Sequence, residues 1–136
     1  MTEKKHRIED ALEAVRSAQE EGIVVGGGCA LLRVSSTLVV GTMNREVALG
    51  AGIVQAACTE PIRQMALNAG ESPDLIINKI MEADEQKGWD FKSGRLTDMF
   101  DDGIIDPVKV TRVALQNAAS CAGTLITTNY GIIQTG

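Results

Sequence analysis

The chain has 136 residues, of which 44% are hydrophobic and only 3% aromatic, and its formal net charge is −5 at pH 7. This length and hydrophobic content predict one globular domain with a core of aliphatic side chains. The negative charge argues against a basic nucleic-acid-binding surface, so no nucleic-acid partner is expected.

The cysteine and histidine content argues against a zinc site and a disulfide framework. Cys29, Cys58 and Cys121 are widely spaced without a CxxC pair, and His6 is the single histidine. We expect each cysteine to be a small buried residue in a reducing, cytoplasmic environment. The charged N-terminus, MTEKKHRIED, lacks the apolar core of a signal peptide, and no apolar run is long enough to span a bilayer, so no membrane partner is expected.

Apolar periodicity predicts mostly helices in the first two thirds of the chain. The predicted helices cover residues 2–21, 29–38, 44–59 and 61–68, and a further helix begins at Pro73 behind Ser72 as N-cap. Gly22 is expected to end the first helix, and residues 22–28 are expected to form a loop.

The last third of the chain predicts two short β-elements around a long helix. Residues 89–91 and 95–97 flank a turn at Gly94 and predict a hairpin. Asp106 and Pro107 predict the N-cap and first residue of a helix that ends near residue 122. The segment 125–134, rich in Thr and Ile, predicts a strand without a partner in this chain. The expected fold class is therefore mainly α, with a small hairpin and a C-terminal strand.

The run GIVVGGGCALLRV at residues 22–34 places three consecutive glycines between two apolar segments. Glycine permits close backbone approach, at a cost in conformational entropy. One interpretation is that Gly26, Gly27 and Gly28 lie against a ligand at a helix N-terminus. The other, stronger on spacing alone, is a tight connector, because the run matches neither GxGxxG nor a GK[ST] phosphate loop.

Several polar and aromatic residues are further candidates, each with a structural alternative. Asp10 lies at the edge of an apolar helix face, where its carboxylate either positions water or is simply solvated. Helix capping accounts for Asp106, although a carboxylate there can also accept hydrogen bonds from ribose hydroxyls. Trp89 and Phe91 either stack on a base or pack beneath the hairpin, and Lys92 either reaches a polar ligand or lies on the surface.

Three segments together resemble one family. RIEDALEAVRSAQEEGIVVGGGCALLRV, EPIRQMALNAGESPDLI and GIIDPVKVTRVALQNAASCAGTLITT are similar, in this order, to the second half of the equatorial domain of group I chaperonins, the bacterial and organellar Hsp60 family. The resemblance runs over residues 5–133. It implies that residues 1–21 end an intermediate-domain helix and that residues 22–136 form the C-terminal half of an equatorial, ATP-binding domain.

The resemblance also implies roles for individual residues. Asp10, in RIEDAL, matches the aspartate that helps activate water for ATP hydrolysis, on a helix that swings over the nucleotide. Gly27 and its two glycine neighbours match a segment packed against the nucleotide. Asp106, in GIIDP, matches the aspartate that binds the ribose. The stretch that matches the adenine pocket is Asp90, Phe91 and Lys92.

This sequence departs from the family pattern in two respects. Bacterial members usually have Asn-Ala-Ala at residues 90–92, so altered base contacts are expected here. The family's Gly-Asp-Gly-Thr-Thr phosphate loop and apical domain do not occur in this sequence. ATP and Mg²⁺ are therefore expected as cofactors in the full-length context, whereas the isolated chain is expected to lack ATPase activity, to bind nucleotide weakly or not at all, and to self-associate.

The resemblance implies a subunit of an ATP-dependent, ring-forming machine that assists protein folding. Its expected partners are other subunits of a homo-oligomeric ring, and a co-chaperonin and unfolded client proteins bound through the missing domains. The predicted C-terminal strand would join an intersubunit sheet. The alternative is a non-catalytic helical module that docks on chaperonin subunits or self-associates.

Overall fold

A computed structural model describes residues 2–37 and 44–128. Most of these residues are helical, in α1 (Thr2–Glu21), α2 (Cys29–Thr37), α3 (Arg45–Ala57), α4 (Glu60–Asn68), α5 (Pro73–Glu82) and α6 (Val108–Thr127). The strands are short, namely β1 (Ile23–Val25), β2 (Lys87–Asp90), β3 (Arg95–Asp98) and β4 (Ile105–Pro107). The predicted mainly α fold is confirmed.

The described strands form two antiparallel pairs. The β2–β3 pair is the predicted hairpin, with Trp89 opposite Leu96 and with Gly94 at φ +69° in its turn. The β1–β4 pair was not predicted, and it places Val24 opposite Asp106. The prediction of a loop over residues 22–28 is therefore wrong at residues 23–25, which form β1. The backbone hydrogen bonds of this strand are made with β4, a segment far along the chain.

The core lies where α2, α4 and α5 meet β2 beneath the three glycines. Its buried members are Val25, Cys29, Leu32, Ile62, Ala66, Ile76, Ile80, Trp89 and Met99. In contrast, α1, α3 and α6 contain no buried residue. Apolar side chains on them are open to solvent, such as Leu12 at 62% and Ile53 at 68% exposure. These three helices present apolar surface that the described residues do not cover.

Both ends of α6 differ from the sequence prediction. Asp106 lies in β4 rather than at the N-cap, because its backbone pairs with β1. Pro107, with ψ of 134°, is the N-cap in place of Asp106, and the helix begins one residue later. At its other end the helix continues to Thr127, so the first three residues of the predicted strand 125–134 are helical. The part of that prediction over residues 129–134 lies outside the described residues.

The cysteine prediction is confirmed at two of three positions. Cys29 and Cys58 are buried, at 0% and 2% exposure. Cys121 is exposed. The prediction fails there because residues 116–127 of α6 are exposed throughout.

Candidate nucleotide site

The triglycine turn, Gly26–Gly28, joins β1 to α2. Gly27 has φ +64° and Gly28 has φ +78°, in the left-handed region that disfavours residues with a Cβ atom. The Cys29 N–H donates to the Gly26 carbonyl at 3.2 Å and closes the turn. The backbone conformation alone therefore requires glycine at two of the three positions.

The triglycine turn also packs directly against the rest of the protein. A Cβ at Gly26 would lie 3.1 Å from the backbone of Ile104, and one at Gly28 would lie 3.1 Å from the backbone nitrogen of Ile62. This tight packing supports the connector interpretation for the side of the turn that faces the core. A ligand can contact the turn only from its opposite side.

Pairing of β1 with β4 brings Asp106 close to the triglycine turn. The Gly26 N–H donates to the Ile104 carbonyl at 2.9 Å, immediately beyond the strand pair. At the other end of the pair, the Val108 N–H donates to the Gly22 carbonyl at 3.0 Å. The ladder thus holds two segments together that are far apart in sequence.

A cavity of about 340 Å³ lies between the triglycine turn, α2, α4 and the start of α6. Gly27, Gly28 and Asp106 all line it, so the structure unites three of the predicted site residues. Its other walls are mainly apolar and include Leu31 and Met65. Asp106 is the single charged residue in this lining. An apolar cleft with a carboxylate acceptor fits a nucleoside better than it fits phosphate groups.

Asp106 is exposed to solvent, but the surrounding cleft partly desolvates its carboxyl group. This desolvation raises the pKa of Asp106 above its usual range. Among residues 2–37 and 44–128, no cationic side chain forms an ion pair with Asp106. Hydroxyl donors of a ligand can therefore replace the water that this carboxylate has lost. The arrangement can accept hydrogen bonds from a vicinal diol such as that of ribose.

The Asp90–Lys92 stretch does not line this cavity. Asp90 organises the hairpin turn, because its Oδ1 accepts from the Lys92 N–H at 2.9 Å and its Oδ2 accepts from the Ser93 hydroxyl at 2.8 Å. The bond from Ser93 is the main reason that the pKa of Asp90 is lowered. The stretch nevertheless begins near the triglycine turn, since the preceding Trp89 carbonyl lies 3.7 Å from a Cβ placed on Gly27.

The aromatic residues of the hairpin pack against the core. Trp89 is 7% exposed, and Phe91 packs against the buried cluster. The Lys79 ammonium lies 5.2 Å from the Trp89 ring centroid, within the range of a cation–π interaction. The structure therefore supports the packing interpretation for Trp89, while Lys92 is exposed.

Asp10 lies apart from the cavity that holds Asp106. It is exposed on α1, in a shallow depression formed entirely by residues of that helix, including Glu9 and Glu13. The structure does not bring Asp10 together with Gly27. Its role in water activation stays a prediction that requires α1 to approach the nucleotide.

Two ion pairs connect the end of α1 to the start of α6, and sequence reasoning missed both. The Lys109 ammonium donates to Glu20 at 2.5 Å. Arg112 donates to both carboxylate oxygens of Glu21, through Nε at 3.0 Å and Nη2 at 2.5 Å. The basic residues spaced three apart at the start of α6 were the signal in the sequence that could have indicated this contact. Hydrogen bonding from Arg112 lowers the pKa of Glu21.

Replacing Arg112 with methionine is expected to loosen α1 from α6. Since the pair with Glu21 is exposed, global stability should change little, and the amides of the last turn of α1 should exchange faster. The pKa of Glu21 is lowered in the folded state, so the pair stabilises the fold at neutral pH. This contribution is lost as the pH falls through the lowered pKa.

Hydrogen exchange over residues 14–21, measured at several salt concentrations and pH values, tests this expectation. The difference from the parent should shrink at about 1 M salt, where the Debye length is about 3 Å. Arg16→Met is the control, because its partner Glu13 lies on the same helix. Identical exchange in Arg112→Met and the parent at low salt and neutral pH would contradict the assignment.

Two absences concern residues 2–37 and 44–128, the described part of the chain. No group of three or more His, Cys, Asp or Glu side chains is placed there to hold a metal ion. None of the helices in these ranges is both long and apolar enough to cross a bilayer.

Comparison with known proteins decides the family. The sequence matches the model of the TCP-1/cpn60 chaperonin family over residues 1–135. The chain belongs to the TCP-1/cpn60 chaperonin family. Among solved structures it is similar to the open-state monomer of a group II chaperonin from Methanococcoides burtonii, with a TM-score of 0.80 and 24% sequence identity. The match covers 91% of this chain and 33% of that chaperonin, so the chain spans about a third of its length.

These findings confirm the predicted family at the level of TCP-1/cpn60 chaperonins. They also confirm the fold as that of a chaperonin equatorial segment. The structural match is to a group II chaperonin, whereas the sequence resemblance was to group I.

Proposed function

We propose that this chaperonin chain contributes the nucleoside-binding part of an ATP site in a ring-forming subunit of group I type. The observation that supports the proposal is the single cavity lined by Gly27, Gly28 and Asp106. The proposal includes a homo-oligomeric ring, a co-chaperonin, unfolded client proteins and a cytoplasmic location. ATP binding and hydrolysis belong to the complete subunit.

In this proposal, each residue has a physical task. The Asp106 carboxylate accepts hydrogen bonds from the ribose hydroxyls, and the triglycine turn lets the nucleoside lie close to the main chain. The apolar walls of the cavity exclude water from its remaining faces. Asp10 orients the attacking water when α1 moves towards the nucleotide. ATP supplies the phosphoryl group that is transferred to this water.

The phosphate groups need partners that these residues do not provide. The cavity lining that the structure describes contains neither lysine nor arginine. Phosphoryl transfer depends on charge stabilisation at the phosphates, usually by Mg²⁺ and by backbone or cationic groups. We therefore assign the phosphate and Mg²⁺ contacts to parts of the family fold outside these described residues.

Asp106→Asn is the substitution that tests the proposed function. The parent chain is titrated with ATP and with adenosine at millimolar concentrations, followed by amide NMR shifts of residues 22–31 and by fluorescence of Trp89, the single tryptophan of the chain. We expect weak binding by the parent and an affinity at least about tenfold lower in the variant, because a neutral amide replaces a charged acceptor.

The stability of this variant separates lost binding from lost folding. The pKa of Asp106 is raised on folding, so its ionised form costs stability at neutral pH and the cost disappears as the pH falls through the raised pKa. Asp106→Asn should therefore be at least as stable as the parent at pH 7. Asp101→Asn, on an exposed turn, is the control. Undiminished nucleotide binding by Asp106→Asn would contradict the proposal.

The exposed apolar helices favour one alternative function, a non-catalytic assembly module. Leu12, Ile53 and Leu125 are 62%, 68% and 71% exposed on α1, α3 and α6. Mixing the chain with an intact chaperonin, and following ring assembly by light scattering and ATP binding by titration, distinguishes the two. Incorporation into rings without any nucleotide dependence supports the module. Nucleotide binding that Asp106→Asn abolishes supports the ATP site.

A further inference from the structure

We propose that the free edge of β1 binds an extended segment of another polypeptide, which adds to the β1–β4 pair as a third strand. The partner is an uncharged segment with apolar side chains at alternate positions. This inference goes beyond the proposed function, because it concerns a groove along the edge of β1 that lies opposite β4 and its Asp106.

The pairing of β1 with β4 uses the backbone groups of every second residue. Gly22 and Gly26 each form a backbone hydrogen bond on the β4 side, and Val24 lies between them in the same phase. Ile23 and Val25 therefore direct their backbone groups towards the opposite edge. In the described part of the chain, neither residue forms a backbone hydrogen bond there. Two N–H groups and two carbonyls thus lie unpaired along one edge of β1.

A groove of about 510 Å³ runs along this free edge. All three residues of β1 line the groove, although their side chains alternate between the two faces of the strand. A groove that contacts successive residues follows the edge of a strand, and since no described residue of β4 or α6 lines this one, the edge is that opposite β4. Its other lining residues are Ala30, Arg33, Val34 and Thr37 of α2, Glu85 and Gln86 before β2, and Phe100.

The chemistry of this edge identifies a polypeptide as the occupant. The unpaired groups belong to residues two apart, so donors and acceptors repeat at about 7 Å, which is the repeat along one edge of another strand. Val25 is only 8% exposed, so β1 lies at the floor of the groove. A strand fixed within the sheet of a folded partner could not enter, whereas a single extended segment can.

The walls of the groove determine which side chains fit. Ile23, Val34 and Phe100 line it and are 44%, 47% and 44% exposed. Every second side chain of an entering strand faces the same way, so apolar residues at alternate positions would cover these three side chains. Arg33 and Glu85 contribute one charge of each sign, so the lining carries no net charge and an uncharged segment suits it.

Arg33 holds the wall of the groove that faces α2. Its Nη2 lies 3.1 Å from the Ile80 carbonyl, 2.6 Å from the Asp84 carbonyl and 2.9 Å from the Lys87 carbonyl. The last two carbonyls flank the two lining residues that precede β2. The guanidinium therefore fixes this wall relative to α2, and the groove exists before a partner binds.

The outer edge of β4 is a poorer place for a further strand. Pro107 lies opposite Ile23 in the register, so its backbone faces that outer edge. Proline has no N–H group, and the edge therefore lacks one of the donors that an added strand requires. Strand addition is expected at β1 rather than at β4.

Hydrogen exchange resolved by residue tests whether the edge is free. In the protein alone, the amides of Ile23 and Val25 should exchange at least about tenfold faster than those of Val24 and Gly26, which face β4. Millimolar TVTVT, a synthetic pentapeptide with blocked ends, should slow the two fast amides at least about tenfold. Equal protection of residues 23–25 in the protein alone would overturn the inference.

A methylated peptide separates strand pairing from apolar contact. TVTVT methylated at every backbone nitrogen keeps its side chains and loses its backbone donors. Titration followed by amide NMR shifts of residues 23–25 and 33–37 should show at least about tenfold weaker binding for the methylated peptide, because its hydrogen bonds to β1 are lost. Equal affinity of the two peptides, or no binding of either at millimolar concentration, would contradict the proposal.

The matched variants are Val34→Asp and Ile53→Asp. Both positions are exposed apolar residues on helices, at 47% and 68%, but only Val34 lines the groove. A carboxylate at residue 34 should weaken peptide binding at least about fivefold, whereas Ile53→Asp should bind as the parent does. If Val34→Asp does not fold, Phe100→Ser takes its place in the comparison. Equal binding by the groove variant and by Ile53→Asp would also overturn the inference.

The same measurements distinguish a different polypeptide from a second copy of this chain. Without peptide, protection of the Ile23 and Val25 amides should not depend on protein concentration. Protection that rises with concentration would identify a second copy as the occupant and overturn the assignment to another polypeptide. None of these experiments uses nucleotide, so they decide the inference whether or not the proposed ATP site is correct.

Discussion

Gly28→Ala is expected to destabilise the fold by about 3 kcal/mol, from left-handed backbone strain together with overpacking against α4. Gly28 has φ +78°, where a Cβ atom is disfavoured. The added methyl group would also lie 3.1 Å from the backbone nitrogen of Ile62 and 3.2 Å from its Cα. Backbone atoms cannot move aside as a flexible side chain can, so α4 would have to shift away from the triglycine turn.

Thermal or urea unfolding of the Gly28 variant measures this effect, with Gly22→Ala as the control. Gly22 has a similar φ of +88°, but a Cβ there meets no atom within 4 Å. We expect the control to lose only about 1 kcal/mol, from the left-handed conformation alone. Equal losses in both variants would show that contact with Ile62 contributes nothing. Gly28 would then not pack against α4 as tightly as described above.

The second large effect is expected at Ile62 itself. This side chain is 0% exposed and belongs to the buried cluster directly beneath the triglycine turn. Ile62→Ala removes buried methyl and methylene groups and leaves a cavity, which costs about 2–5 kcal/mol in comparable cores. The described core has few large side chains, so a loss of this size is a substantial part of the total stability.

Leu67→Ala is the control for Ile62, because Leu67 lies on the same helix and is 59% exposed. A surface change of this kind should alter the free energy of unfolding by less than about 0.5 kcal/mol. Urea unfolding followed by Trp89 fluorescence and by circular dichroism gives both values. If Ile62→Ala costs no more than Leu67→Ala, the core does not lie beneath the turn as described.

Local signals in the sequence predict most of the helices and the hairpin. Pro73 at a first helical position, Gly22 at a helix end and Gly94 in a turn act through their own backbone preferences, which do not depend on distant residues. These positions agree with the structure. The mainly α class follows from them, because helix periodicity and turn residues are read over short windows.

The β1–β4 pair could not be predicted in the same way. Three residues give too short a pattern to indicate a strand, and the partner lies far along the chain. Asp106 and Pro107 satisfy the local rules for a helix start, so tertiary pairing had to override them. The same limit applies to Glu20 and Glu21, whose partners on α6 become neighbours only in the folded chain.

The candidate site shows a similar division between local and distant information. The three glycines indicated a backbone conformation that other residues disfavour. Their spacing could not distinguish contact with a ligand from tight packing within the protein. The family resemblance singled out Gly27 and Asp106, and the structure places both on one cavity. The resemblance gave no indication of Arg33. Its Nη2 lies within hydrogen-bond distance of three backbone carbonyls, in α5, in β2 and between them, and these meet only in the folded chain.

Because Asp106 reaches the triglycine turn through a strand pair that joins distant parts of the chain, the site cannot form during early synthesis. A ribosome that has released α1 to α5 still holds β4 and α6 within its exit tunnel or has yet to translate them. The glycines of the nascent subunit therefore emerge without their carboxylate partner. Under the proposed function, the ribose-binding part of the site is therefore complete only after β4 has left the ribosome and paired with β1.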